Sequence, residues 1–165
     1  MKIRKTALIF AIILPVFFGT SIHSQTVVQK FSSSRPSIRP LLATEQEVKQ
    51  FFENYIERYS ARDIEKFLWL FSSKAIQNQK DGLPGIREIY ANFFDKSQAL
   101  KLRIEDQKVE IYENAVEVKA RFEIEQIMKG NEITKIWRGP IRWVLIKEGG
   151  LLKISSLDYR NEKNP

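Results

Sequence analysis

Between residues 116 and 128 the chain alternates so regularly that only one backbone conformation suits it. Val116, Val118, Ala120, Phe122, Ile124 and Met128 fall on one parity, and Glu117, Lys119, Arg121, Glu123 and Glu125 on the other. Successive side chains of a strand point to opposite faces, so this pattern predicts a strand over 116–128 with one side in a core and the other in water. Leu100, Leu102 and Ile104 alternate with Lys101, Arg103 and Glu105 in the same way, but Val109 and Ile111 have the opposite parity. An extra residue near Asp106-Gln107, a bulge that bends the sheet, reconciles the two. Two more strands, 133–147 and 151–159, are joined by a Glu148-Gly149-Gly150 turn, and Gly139-Pro140 should kink the first of them.

Upstream of residue 100 the period is helical. Thr44-Glu45-Gln46-Glu47 is a capping box, after which Val48, Phe51, Phe52, Tyr55, Ile56 and Tyr59 recur at three- and four-residue spacing. Asp63 caps a second helix, expected over 64–71 with Trp69 partly exposed, and 74–80 forms a short polar strand or loop. Pro84 and Gly85 precede a third helix carrying Ile86, Ile89, Tyr90, Phe93 and Phe94. Three N-terminal helices followed by a bent antiparallel meander predict an α+β domain over 44–160. Its curved sheet, of about four long strands, wraps around the helices as a cone with an interior pocket.

Cysteine is absent from the 165 residues, and the one histidine, His23, lies near the N-terminus. That removes disulfides, thiolate metal sites and cysteine nucleophiles, and within 44–160 it removes imidazole as base or ligand. No metal or cofactor is expected. The net charge of +7 is concentrated at one end: six of the 27 basic residues (Lys2, Arg4, Lys5, Lys30, Arg35, Arg39) precede position 40, while all 20 acidic residues follow it. The remainder, 21 basic against 20 acidic, is nearly neutral and interleaved, which argues against nucleic acid as a partner. Residues 1–24 have the form of an export signal: a basic start, an apolar run from Ala7 to Phe18, then small and polar residues. The expected location is therefore periplasmic or secreted, with an uncleaved signal anchor as the alternative and only route to a membrane. Residues 25–43, rich in Ser, Pro and basic side chains, are expected to be a flexible linker, and 161–165 a tail.

Tyr55-Ile-Glu-Arg-Tyr-Ser-Ala-Arg-Asp63, the Phe71-Ser-Ser-Lys-Ala-Ile76 turn and Gly85-Ile-Arg-Glu-Ile-Tyr-Ala-Asn-Phe-Phe94, set before a four-strand meander, resemble the nuclear-transport-factor-2-like superfamily with its SnoaL-like and ketosteroid-isomerase branches. The resemblance implies a pocket between sheet and helices and dimerisation through the sheet, but no single function. In the isomerase branch a phenol on the first helix, a carboxylate base and a second acid act together. Tyr55 matches the phenol, eight residues before Asp63. The position of the base falls on Gln79 with Asn78 beside it, and that of the second acid, after Pro140-Ile141, falls on Arg142. An amide cannot take up a proton at neutral pH, so the isomerase acids are not retained.

Pocket candidates are therefore Tyr55, Gln79, Tyr90, Gln126 and Arg142. Arg142, if it keeps the parity of the acid it replaces, points inward with Val144 and Ile146 toward an anionic ligand. Otherwise it pairs internally with Asp81, Asp106 or Glu88, or faces outward beside Trp143. Gln126 either hydrogen-bonds a ligand or sits at the cone's mouth, and the two tyrosines serve either the pocket or the core. Ile141, Trp143 and Leu145 then form an apolar outer face for a homodimer or partner, unless 25–43 or the third helix covers it. The expected function is a non-enzymatic module binding a small, partly apolar or anionic ligand or an envelope protein. The alternatives are a cofactor-independent lyase, isomerase or hydrolase using Tyr55 and an aspartate such as Asp81 near Arg142, and a structural or assembly role with a filled pocket.

Overall fold

The computed structural model describes residues 40–130 and 133–162. Helix α1 (Glu45–Ala61) starts where the capping box places it: the Glu47 amide donates to the Thr44 hydroxyl at 3.2 Å, and the Thr44 amide donates to the Glu47 carboxylate at 2.7 Å. It ends at Arg62, whose left-handed backbone (φ 58°) terminates the helix. Asp63 caps α2 (Ile64–Leu68), accepting from the Lys66 amide at 3.2 Å. This helix is shorter than expected because Phe71 already belongs to a strand. β1 (Phe71–Gln77) overlaps the first part of the 74–80 stretch read as a polar strand or loop, β2 (Asp81–Gly82) comes just after that stretch, and α3 (Leu83–Asp95) follows, with Pro84 in its first turn.

Four long strands complete the domain: β3 (Ser97–Ile111), β4 (Val116–Met128), β5 (Thr134–Glu148) and β6 (Leu151–Tyr159). The bulge falls where the parity change demands it, with a register shift between Glu105 and Lys108 and Asp106 at φ 53°. All six strands form one curved, unclosed sheet in the order β2-β1-β6-β5-β4-β3. Its β3–β6 portion is the antiparallel meander expected, whereas β1 adds to β6 in parallel and makes the sheet mixed. The helices pack on its concave side.

Register decides which face of β5 is the core. Directly opposed residues of paired strands share a face, and Leu145, Trp143 and Ile141 lie opposite Val116, Val118 and Ala120. The expectation that Ile141, Trp143 and Leu145 form an outer interface is therefore corrected: Trp143 and Leu145 are fully buried and Ile141 nearly so. Trp143 meets helix α1 edge-on, 4.9 Å from the Phe52 ring and 5.7 Å from the Tyr55 ring, centroid to centroid.

Both ends of the domain reach beyond the expected bounds. Ala43 is buried and the Leu42 amide donates to the Tyr112 carbonyl at 2.8 Å, so the last residues of the expected linker pack on the fold. Past Tyr159 the chain continues alongside β5, with Arg160 donating to the Pro140 carbonyl at 3.2 Å and Glu162 to the Arg138 carbonyl at 2.8 Å. Gly139 lies beneath this segment, where a Cβ would stand 1.9 Å from the Arg160 carbonyl oxygen. The export signal expected at 1–24 and the linker up to residue 39 lie outside the described residues.

Candidate functional site

Between the helices and the concave face lies a cavity of about 240 Å³. Helix α1 contributes Tyr55 and Tyr59, four residues apart and hence on one face, and α3 contributes Ile89, Tyr90 and Phe93 by the same periodicity. The sheet supplies inward-parity residues: Phe122 and Ile124 from β4, Trp137, Ile141 and Trp143 from β5, Tyr159 from β6. Leu102 and Asn161 complete the lining. Ile89, Phe93, Ile124, Trp137, Tyr159 and Asn161 keep partial exposure while Tyr55, Tyr59, Tyr90 and Trp143 are buried, so the cavity opens on the former side.

No carboxylate, ammonium or guanidinium lines this space. Its polar groups are four phenols, two indoles and one amide. Burial raises the ionisation of Tyr55, Tyr59 and Tyr90 well above that of an ordinary tyrosine; burial raises Tyr159 too, and the charge of nearby Asp81 adds to it. All four stay protonated at any physiological pH and act as neutral hydrogen-bonding groups, not as bases. The Trp143 indole N–H is fully buried against the Tyr55 phenol, which it faces without reaching ideal hydrogen-bonding geometry. A buried donor so weakly matched costs up to about 1–3 kcal/mol, a loss that an acceptor brought in by a ligand would reduce.

Of the five pocket candidates, Tyr55 and Tyr90 line the cavity and three do not. Gln79 sits in an exposed turn with φ 57°, while its neighbour Asn78 accepts from the Tyr159 amide at 2.9 Å. Arg142 lies on the outer face, bonded through Nε to Glu117 and through a terminal nitrogen to Asp158 at 3.2 Å. It shares that face with Lys119 and Asp158, its opposite neighbours, because Trp143 next to it takes the inward parity. Asp106 is exposed at the bulge, so an internal Arg142 pair with Asp81, Asp106 or Glu88 is likewise not formed.

Gln126 stands behind the wall. Its Nε2 donates to the Ser97 hydroxyl at 2.8 Å, that hydroxyl donates to the Phe93 carbonyl at 2.6 Å, and its Oε1 accepts from the Trp137 indole at 2.9 Å. Arg62 closes the chain by donating to the Ser97 carbonyl at 2.5 Å. This network fixes Trp137 and Phe93, two aromatic groups at the cavity mouth. Gln126→Leu should strand the Trp137 donor, take from the Ser97 hydroxyl the bond it accepts, and cost about 1–3 kcal/mol in urea unfolding. The same variant should broaden the Trp137 indole resonance. An unchanged midpoint would mean the network holds nothing in place.

Tyr59, Trp137, Trp143 and Tyr159 were not among the pocket candidates. Tyr59 was within reach of sequence reasoning, being one helical turn after Tyr55, and Trp137 shares parity with Trp143.

No family model matches the sequence, and no curated protein matches it. Solved structures do. A nuclear transport factor 2-like superfamily protein from Salmonella enterica serovar Typhimurium superposes with a TM-score of 0.63 at 19% identity, over 72% of this chain and 91% of that one. A candidate scytalone dehydratase from Novosphingobium aromaticivorans gives 0.65 at 10% identity, over 72% and 83%. A candidate calcium/calmodulin-dependent protein kinase II association domain from Xanthomonas campestris gives 0.64 at 13%, over 73% and 89%. The class is an α+β cone whose sheet and helices enclose a cavity. The fold is that of the nuclear transport factor 2-like superfamily, and at these identities the likeness extends to the fold alone.

Proposed function

We propose that this domain is a non-enzymatic binding module that encloses a small, neutral, largely aromatic ligand carrying a carbonyl or comparable hydrogen-bond acceptor. The observation that carries this reading is the chargeless aromatic cavity, with the weakly matched Trp143 indole N–H buried in its wall against Tyr55. Apolar walls with few polar groups are the usual composition of a small-molecule site, and this volume suits a ligand of one or two rings. An anionic ligand finds no support in the cavity, since a buried carboxylate would lack a cationic partner. Action outside the cytoplasm is part of the proposal and rests on the sequence of residues 1–24.

Titration of the full chain with 2-acetonaphthone is expected to give saturable binding, which 2-naphthoate competes for at least about tenfold more weakly. Trp143→Phe keeps an aromatic ring and removes the N–H, and should weaken acetonaphthone by about tenfold, whereas Arg142→Ala should leave it unchanged. Naphthoate that displaces acetonaphthone as readily as unlabelled acetonaphthone does, or loss of acetonaphthone binding with Arg142→Ala, would refute the reading. A second reading, a cofactor-independent lyase, draws on the likeness to the scytalone dehydratase candidate and on Asp81, whose charge reaches Tyr159 at the cavity wall. It predicts turnover of a bound hydroxylated ring compound that Asp81→Asn abolishes.

A further inference from the structure

Every one of Arg87, Arg103, Arg121, Arg138 and Arg142 faces a carboxylate within ion-pair distance. Arg58 and Lys153, like Arg62 and Arg160, have no carboxylate within that distance among the described residues. Among the described residues Arg58 donates to the Lys66 carbonyl at 3.0 Å, and Lys153, only 8% exposed, donates to the Trp69 carbonyl. The two cations converge on one ring: the Lys153 ammonium lies 3.3 Å and the Arg58 guanidinium 5.1 Å from the centroid of Trp69. The nearest carboxylate that acts on Lys153, Glu148, is held away by bonds from the Ser72 hydroxyl at 2.6 Å and the Ser73 amide at 3.4 Å. Two like charges brought together repel, and the ring's negative face and the Glu148 charge offset only part of that cost.

Beside them runs a groove of about 210 Å³ that shares no residue with the aromatic cavity. One wall carries Gln50, Asn54 and Arg58, spaced four apart along α1 and so in one stripe. The two amides make no hydrogen bond to any described residue. The other wall is apolar: Trp69, Leu70, and Leu151 and Leu152 just past the β5–β6 hairpin turn, with Trp69 51% and Leu151 49% exposed. Glu47 stands at one end, bonded to Thr44 and Lys147.

We propose that this groove is a second binding site, for an amphiphilic monocarboxylate. The carboxylate accepts from the Arg58 fork and from the Gln50 and Asn54 amides, a planar group matched to a planar donor, and supplies the direct ion-pair partner that Arg58 lacks among the described residues. The apolar tail lies along Trp69, Leu151 and Leu152, covering side chains that otherwise meet water. Glu47 at the end of the groove disfavours a dianion, which selects a carboxylate over a phosphate. This site is independent of the aromatic cavity and stands whether or not the cavity takes a neutral ligand.

Octanoate added to the full chain, with calorimetry and the indole N–H resonances as readouts, tests it. The expected result is saturable binding that shifts the Trp69 indole resonance, with 1-octanol and acetate each at least about tenfold weaker. Arg58→Gln, a change on an exposed helix face, should weaken octanoate by about tenfold while leaving acetonaphthone binding untouched. Leu151→Asp, beside the hairpin turn, should do the same by blocking the tail. Octanoate that leaves the Trp69 resonance unmoved, binds equally well to both variants, or is displaced by acetonaphthone would overturn the proposal.

Discussion

Trp143→Ala should lower the free energy of unfolding by about 3–5 kcal/mol in urea denaturation, and Trp143→Glu should leave no folded domain. The indole is fully buried and touches Phe52 and Tyr55 edge-on, so truncation removes both apolar burial and two aromatic contacts. Glutamate adds an unpaired charge, because no cation lines the adjoining cavity. Together these losses approach the whole stability of a domain this size, typically about 5–15 kcal/mol. A folded, soluble Trp143→Glu protein of altered oligomeric state would instead put the indole at an interface and reverse the strand assignment.

Gly139→Ala should act on the cavity more than on the core. The new methyl group would stand 1.9 Å from the Arg160 carbonyl oxygen, a backbone atom that cannot swing aside, so the segment after β6 must leave. Its departure breaks the Arg160–Pro140 and Glu162–Arg138 bonds and separates the exposed Arg121–Glu162 ion pair, a loss of about 1–3 kcal/mol. Asn161 goes with it, and the cavity wall loses one side of its mouth. Acetonaphthone affinity should fall about tenfold through a faster off-rate, while the urea slope stays that of a folded domain. A full-strength binder with an intact Glu162 amide bond by hydrogen exchange would show that the segment accommodates the methyl group.

How much of this was legible in advance depended on whether a strand has one wet face. β4 could be placed to the residue because its outer parity is charged from Glu117 to Glu125, and the capping box at Thr44 and the bulge at Asp106 were equally plain, each having a single physical solution. β5 offered no such contrast. Ile141, Trp143 and Leu145 compete with Val144 and Ile146 for the core, and the parity was taken from the acid that Arg142 replaces. Register against β4 settles the matter, and register is a long-range property that no local window contains. The same limit hid the site: Tyr55 and Tyr90 announce themselves on helix faces, whereas Trp137, Trp143 and Tyr159 reach the cavity only through strand pairing. β1 was missed as a definite strand because Phe71–Gln77 has little alternation and owes its conformation to β6, some eighty residues away.

That pairing governs how the chain must be assembled. The last strand in sequence, β6, lies in the middle of the sheet between β1 and β5. Contacts across so long a separation are slow to form and carry a large loop-closure cost. A chain growing from its N-terminus therefore holds α1, α3 and the inner faces of three long strands without their partner until residues 151–159 emerge. Truncation at residue 150 would remove the seam of the sheet and not a dispensable edge, and folding of the domain should begin in earnest only once residues 151–159 have been made.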